Sequence, residues 1–254
     1  MNLPRRIFQS RPMGVIRKIL DPESARLRRF VHQSALSLAP GAVVIDVGAG
    51  QCQYKDLFSG RKYIGVDFGG GDLEWDYSRL DAVADIHEMP VHNNAADAVL
   101  CTQVLEHTHD PQRVICEMAR ILKPGGTAFV SVPQGWGEHQ VPYDYFRYTQ
   151  YGMKVLLERA GLMVEDVKKT TGLFGYLANR LTMIPKVLFW SFKNPALRII
   201  LLPAELLSYL LFVAFPAIFV APLDFLDREK TYTLNYAITA KKKQDRGIEG
   251  KTCP

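Results

Sequence analysis

The sequence predicts an α/β protein on a doubly wound, mostly parallel sheet of seven strands, with an apolar helical insertion before the last strand. Three observations carry this. Short apolar runs, several ending on a carboxylate, alternate with helix-like stretches from Val43 to Val132. The first run, VVIDVGAG over Val43–Gly50, passes straight into a glycine turn. Two long apolar stretches, 173–192 and 199–220, then break the alternation before a final strand-like run at Tyr232–Thr239.

Residues 1–40 form a basic, helical lead-in, with Arg5, Arg6, Arg11, Arg17, Lys18, Arg26, Arg28 and Arg29 against only Asp21 and Glu23. Asp21 followed by Pro22 reads as a helix start, and Leu27, Phe30, Val31 and Leu38 as its buried stripe. The arginines then face water or anionic lipid headgroups. After the first strand and its turn, Tyr54–Phe58 opens a short helix, and Tyr63–Val66 is a second strand ending on Asp67. Asp81–Ile86 and Asp97–Thr102 are the third and fourth strands. A helix over Pro111–Leu122 has Asp110 as N-cap and Val114, Met118, Ile121 and Leu122 on its apolar face. Lys123-Pro124-Gly125-Gly126 ends it, and Thr127–Val132 is the fifth strand. A helix over Gln150–Ala160 leads to a sixth strand at Met163–Val167. Ligands of such sheets bind outside the carboxyl ends of the strands. Asp46–Gly50, Asp67, Asp85 with Ile86, and Thr102 with Gln103 converge there. Glycines without Cβ atoms let a ligand approach the turn, and free N–H groups would suit an anionic group.

A net charge of +5 and a pI near 9.0 do not demand a nucleic-acid partner. Cys52, Cys101, Cys116 and Cys253 form no C-x-x-C pair, which suits a reducing compartment and carries no zinc signature. The first twenty residues, broken by Pro4 and Pro12, hold no secretory core, so a cytoplasmic enzyme body is expected. His107 and His109 follow Glu106, but no third ligand stands at useful spacing, and no metal is expected. His87 and His92 fall in a polar loop.

Taken together, VVIDVGAG, YIGVD, ADIHEMPVHNNAADAVLCTQVLEHTHDPQRVICEMARILKPGG and TAFVSVP resemble the type 11 group of class I S-adenosylmethionine-dependent methyltransferases, which includes quinone-biosynthesis enzymes. The resemblance covers roughly residues 41–133, and the VLEH–LKPGG pair is its most specific part. It implies a Rossmann-like fold and S-adenosyl-L-methionine as cofactor. It further implies that Gly48 and Gly50 meet the methionine moiety with Asp46 near its amino end. Asp67 would then bond the ribose hydroxyls, Asp85 with Ile86 would face the adenine, and Gln103 would border the methyl-transfer region. Cys52 stands where the family often has a small residue.

Past Pro133, the loop with Trp136, His139, Tyr143, Tyr145 and Arg147 resembles a segment of some members. Its aromatic faces suit an organic acceptor. Methyl transfer from a sulfonium is largely a matter of positioning. Where the acceptor is a hydroxyl, His139 is the candidate base, since imidazole exchanges a proton near neutrality. The domains expected are thus 1–40, a cofactor-binding domain of 41–172 with 227–243, an apolar insertion of 173–226, and a tail of 244–254. A lone membrane crossing in the insertion would separate the last strand from its sheet. A hairpin, an interfacial helical pair, or a homodimer surface remains. The expected activity is methylation of a lipidic or lipid-linked small molecule or glycan at the inner face of the cytoplasmic membrane. The alternatives are a soluble metabolite or glycan as acceptor, an NAD-dependent oxidoreductase, and a non-catalytic membrane-associated protein that binds the cofactor. The oxidoreductase is disfavoured because the turn lacks the third glycine of GxGxxG.

Overall fold

The computed structural model describes residues 22–71, 75–189 and 194–244. One sheet holds seven strands: β1 (Val43–Val47), β2 (Lys62–Asp67), β3 (Ala82–Val83), β4 (Ala96–Thr102), β5 (Leu122–Pro133), β6 (Leu162–Lys169) and β7 (Asn235–Lys242). Their order is 3-2-1-4-5-7-6. β1 runs parallel to β2 and β4, β4 parallel to β5, and β7 antiparallel to β5. The chain winds outward from β1 to β3 and then returns to β4 on the other side of β1. The topological switch point therefore lies between β1 and β4, beside the glycine turn.

The central strands are apolar on both faces because both faces are covered. On one, Val44, Ala98, Leu100 and Phe129 pack with Phe30, Val31 and Ala35 of the first helix, α1 (Pro22–Ser37), and with Phe58. On the other, Ile45, Val47, Val99 and Val130 pack with Val114, Ile115, Met118 and Ile121 of α2 (Pro111–Ile121). Asp110 starts α2 by accepting a hydrogen bond from the Arg113 N–H at 3.1 Å, with Pro111 in the first turn, where no N–H is needed. Thr149 caps α3 (Gln150–Arg159) through the Gly152 N–H at 3.1 Å, and Met153 and Leu157 are buried beneath it.

Four local expectations differ. The third strand has two residues, not six, because the Asp81 carboxylate turns back to accept from the Gly65 N–H and from Lys55. The stretch after the glycine turn is a single 3₁₀ turn, Lys55–Phe58. Lys123–Gly126 belongs to β5, since the backbone becomes extended at Leu122. β7 starts at Asn235 rather than Tyr232, because Leu234 bonds through its N–H to Thr171 Oγ1 instead. The Asp21 cap, the arginines before it and the tail from residue 245 lie outside the described residues.

The described residues divide into two compact units, one of 27–71, 75–168 and 235–244, the other of 22–26, 169–189 and 194–234. The first holds the sheet. The second contains α4 (Leu173–Leu181), α5 (Met183–Phe189) and α6 (Pro195–Tyr209), which continues through two π-type turns and a 3₁₀ turn to Phe225. Asp224 accepts from the N–H groups of Gly172 and Gly175, and Asp227 from that of Leu173. Two carboxylates from the far end of the unit thereby satisfy the open first turn of α4. Ile199–Phe225 is long and apolar enough to cross a membrane and is little buried. Ile199 and Phe225 are each 74 % exposed, with Leu206, Leu210, Ile218 and Phe219 exposed between them.

Candidate functional site

The glycine turn is built for close packing. Gly48 has φ +74°, and a Cβ there would lie 2.5 Å from Val104 Cγ2. Gly50 has φ +52°, and its Cβ would lie 2.9 Å from the Trp75 ring. Glycine is thus required twice over, by the backbone and by the side chains above it. The turn's donors are committed. Gly48 and Ala49 donate to the Val66 carbonyl at 2.8 and 3.1 Å, and Gly50 donates to Asp67 Oδ2 at 2.9 Å. The expectation of free N–H groups for an anion is therefore corrected at these three positions: the turn is laced to the end of β2 and offers them no phosphate.

Asp46 and Asp67 lie below and beside this turn. Asp46 is 1 % exposed, accepts from the Tyr63 hydroxyl through Oδ2, and among the described residues has no hydrogen-bond partner for Oδ1. Burial pushes its carboxyl up to about 7, against the pull of the Tyr63 hydrogen bond, with the Asp67 charge pushing further. The same burial and the Asp46 carboxylate push the Tyr63 phenol up. Asp67, also buried, accepts from Gly50 N–H at 2.9 Å and from Gly69 N–H at 2.9 Å through its second oxygen. Each oxygen keeps a further lone pair.

Asp85 follows β3 and is exposed. Its Oδ1 accepts from the His87 backbone N–H and lies 2.6 Å from His87 Nδ1, while His87 Nε2 lies 2.7 Å from Thr108 Oγ1. His87, read from the sequence as part of a polar loop, thus ties Asp85 to the segment leading into α2, and these contacts hold the Asp85 carboxyl below its ordinary range. Ile86 packs against the core. Gln103, at φ +55°, donates from its backbone to the Ser131 carbonyl at 2.9 Å and from Nε2 to Ser131 Oγ at 3.2 Å. The structure thus gathers Asp46, Gly48, Gly50, Asp67, Asp85, Ile86 and Gln103 along the carboxyl edge of β1–β4. Trp75 and Val104, the side chains over the turn, carried no pattern by which the sequence would reveal them.

The loop 134–149 closes on the other side of Gln103. Arg147 was expected to contact substrate; instead it clasps its own loop. Its five N–H groups reach the Trp136 carbonyl at 2.9 Å, both Asp144 oxygens at 2.7 Å, and the Phe146 and Gly137 carbonyls at 2.8 Å. A guanidinium has no sixth donor. The pairing holds Asp144 at about 2. Trp136 is half-buried, whereas Tyr143 and Tyr145 stand out from the loop, 63 % and 46 % exposed. Tyr148 turns inward, and its hydroxyl donates to the Leu105 carbonyl at 2.7 Å.

Glu106 sits beneath this loop, 0 % exposed, and its backbone carbonyl accepts from the Tyr145 N–H at 2.8 Å. Among the described residues, neither carboxylate oxygen has a hydrogen-bond partner. Burial pushes the group up to about 8. His107 lies with Nε2 3.9 Å from Glu106 Oε1, and its ring meets that of His139 edge-on at 4.7 Å. The third group missing from the sequence around His107 and His109 is therefore His139, thirty-two residues on. His109 packs instead against His87, with ring centroids 5.0 Å apart.

These residues fit S-adenosylmethionine. The unpartnered Oδ1 of Asp46 is an acceptor suited to its ammonium, Asp67 retains capacity for two hydroxyls, and a turn whose first N–H groups are committed suits a cofactor without phosphate. The fold and this donor set define a Rossmann-like domain of the methyltransferase kind. A methyltransferase-domain family model matches residues 45–130. A probable S-adenosylmethionine-dependent methyltransferase of Mycolicibacterium smegmatis is 29 % identical over 59 % of this chain and 62 % of its own length. A demethylmenaquinone methyltransferase of Renibacterium salmoninarum is 32 % identical over 53 % of this chain and 57 % of its own. The chain thus spans about three fifths of the length of these curated relatives. A didemethyltoxoflavin N1-methyltransferase of Burkholderia thailandensis, solved with S-adenosylhomocysteine, shares the fold at 14 % identity and TM-score 0.52, covering 96 % of this chain and 92 % of that one. The [4+2]-cyclase SpnF does so at 20 % identity and TM-score 0.55, covering 86 % and 81 %. Residues 45–130 thus hold a methyltransferase domain of the type 11 kind, the stretch that the family model matches.

Proposed function

We propose that this protein transfers the methyl group of S-adenosylmethionine to a lipidic or lipid-linked acceptor at a membrane surface. The observation behind the membrane part is the exposed apolar run Ile199–Phe225, 27 residues with Glu205 and Asp224 as its only charged side chains. So much apolar surface facing water is costly at roughly 25 cal/mol per Å², and an interface relieves it. Lying along the interface keeps both ends of the insertion on one side, as a sheet whose last strand follows it requires.

In this reading Asp46 accepts from the cofactor's ammonium, Asp67 from its ribose hydroxyls, and Asp85 from its adenine amino group, with Ile86 against the ring. The bound cofactor supplies an electrophilic methyl carbon on a sulfonium. The chain's part is orientation: Gly48 and Gly50 let the turn pack closely under Val104 and Trp75 beside the methionine end, and Gln103, fixed by Ser131, borders the transfer region. Trp136, Tyr143 and Tyr145 form an aromatic wall for the acceptor. His139 takes the proton of a hydroxyl acceptor in the metal-free protein. Arg147 and Asp144 hold that wall together rather than touching the acceptor.

Flotation with phosphatidylglycerol–phosphatidylethanolamine vesicles tests the reading. The protein is expected to float, and high salt to release it only in part, because the apolar contribution is not screened. Leu206→Asp with Leu210→Asp and Ile218→Asp is expected to abolish flotation while S-adenosylhomocysteine binding persists. A protein that stays monomeric and free of vesicles without detergent contradicts the membrane acceptor and leaves a soluble one. A vesicle-free dimer assigns the apolar run to a subunit interface.

A further inference from the structure

A buried carboxyl with no hydrogen-bond partner on either oxygen is costly, and each such group in a folded protein calls for a partner. Glu106 is one, and one nitrogen of His107, one of His139 and a Glu106 oxygen all lie within 4.8 Å of one another. We propose that Glu106, His107 and His139 bind a divalent zinc-like ion in a two-histidine, one-carboxylate site. Zinc bonds to nitrogen and oxygen are about 2.0–2.2 Å, so tetrahedral ligands lie about 3.4 Å apart. His107 Nε2 and Glu106 Oε1, at 3.9 Å, are within a small side-chain adjustment of that spacing.

The surroundings of both rings favour ligation. The Tyr143 carbonyl lies 2.7 Å from His107 Nδ1, which keeps the ring proton there and leaves the Nε2 lone pair toward Glu106. The Gly137 carbonyl and Asp144 Oδ2 lie 3.1 and 3.4 Å from His139 Nδ1 and do the same for its ring. A ligating histidine backed by a carbonyl or carboxylate is the usual arrangement around a bound metal. The Arg147 guanidinium, with Nη2 3.4 Å from His139 Nδ1, is paired with Asp144 and so adds little net charge. Two histidines and one carboxylate leave a fourth position open, as in catalytic rather than structural zinc sites. Its use would be to hold an acceptor oxygen and make its proton easier to lose, a role that rests on the methyltransferase reading; ion binding itself does not.

The test uses the full chain, stripped with a chelator and titrated with Co²⁺, followed by its d–d absorption and then by displacement with Zn²⁺. The expected result is one Co²⁺ per chain, displaced by one Zn²⁺. Glu106→Gln and His139→Ala should each weaken binding at least tenfold, with the wild-type circular dichroism retained. His109→Ala, adjacent in sequence but outside the cluster, should leave Co²⁺ affinity unchanged. No absorption at millimolar Co²⁺, or wild-type affinity in well-folded His139→Ala, overturns the site. S-adenosylhomocysteine calorimetry on the same samples reports on the methyltransferase reading alone, so the two failures are distinguishable.

Discussion

Asp46 and Glu106 are two buried carboxyls on the same edge of the sheet, and they differ in how their environment treats them. Asp46 has a donor in Tyr63 on one oxygen and sits at about 7, whereas Glu106 has none and sits at about 8. The first belongs to a contiguous motif that crosses from strand to turn. The second acquires its neighbours only when the loop 134–149 folds over it. The edge around Asp46 is drawn from the ends of four neighbouring strands, β1 to β4, while the surroundings of Glu106 also need a loop from beyond β5. In the turn, the Gly48, Ala49 and Gly50 N–H groups are bonded to Val66 and Asp67, and each Asp67 oxygen accepts one backbone N–H.

The largest expected effect concerns the pH dependence of stability. The Asp46 carboxyl is raised in the folded state, so the folded chain holds this proton over a range where the unfolded chain has lost it. Its contribution is full below about pH 4 and is lost as pH rises to about 7. The gap to the ordinary 3.8 sets an upper limit on the order of 4 kcal/mol. Denaturant unfolding between pH 4 and 8 should show a steeper loss in wild type than in Asp46→Asn. Parallel curves would mean that Asp46 is solvated and that the two carboxyls do not share a buried character.

Gly48→Ala should cost about 2–3 kcal/mol, from positive φ together with overpacking against Val104. Pairing it with Val104→Ala should recover the packing part only, which a double-mutant cycle in denaturant would read. Asp67→Ala should weaken S-adenosylhomocysteine binding by about 1–3 kcal/mol, roughly 5- to 150-fold, by leaving buried hydroxyls without an acceptor. Smallest of all, Tyr143→Ser should change stability by less than about 0.5 kcal/mol, since the ring is exposed. A large loss there would show that the loop depends on its aromatic groups and not on the Arg147–Asp144 clasp.

The difference between the two corners is also a difference in what the chain discloses when read linearly. Apolar runs such as the one ending on Asp67, and the glycine turn, disclosed the doubly wound sheet and which residues fall at the carboxyl ends of its strands, because a parallel strand and its turn are local patterns. Three local features escaped. Asp81 reads as strand but is drawn into bonds with Gly65 and Lys55, LKPGG reads as a stop but becomes extended, and Arg147 reads as a ligand contact but saturates its own loop. The Glu106–His107–His139 grouping was invisible for a different reason. Its spacing follows from a tertiary fold-back, fixed by Glu106 accepting from Tyr145 and by Tyr148 reaching Leu105, which no sequence period encodes.

Titration calorimetry with S-adenosylhomocysteine and, separately, NAD on the full chain tests the assignment of the glycine-turn corner most directly. One S-adenosylhomocysteine per chain is expected, weakened in Asp67→Ala, with little heat from NAD. Tight NAD binding with none for S-adenosylhomocysteine would contradict it, for it would require a phosphate cradle from a turn whose Gly48, Ala49 and Gly50 N–H groups are already bonded to Val66 and Asp67.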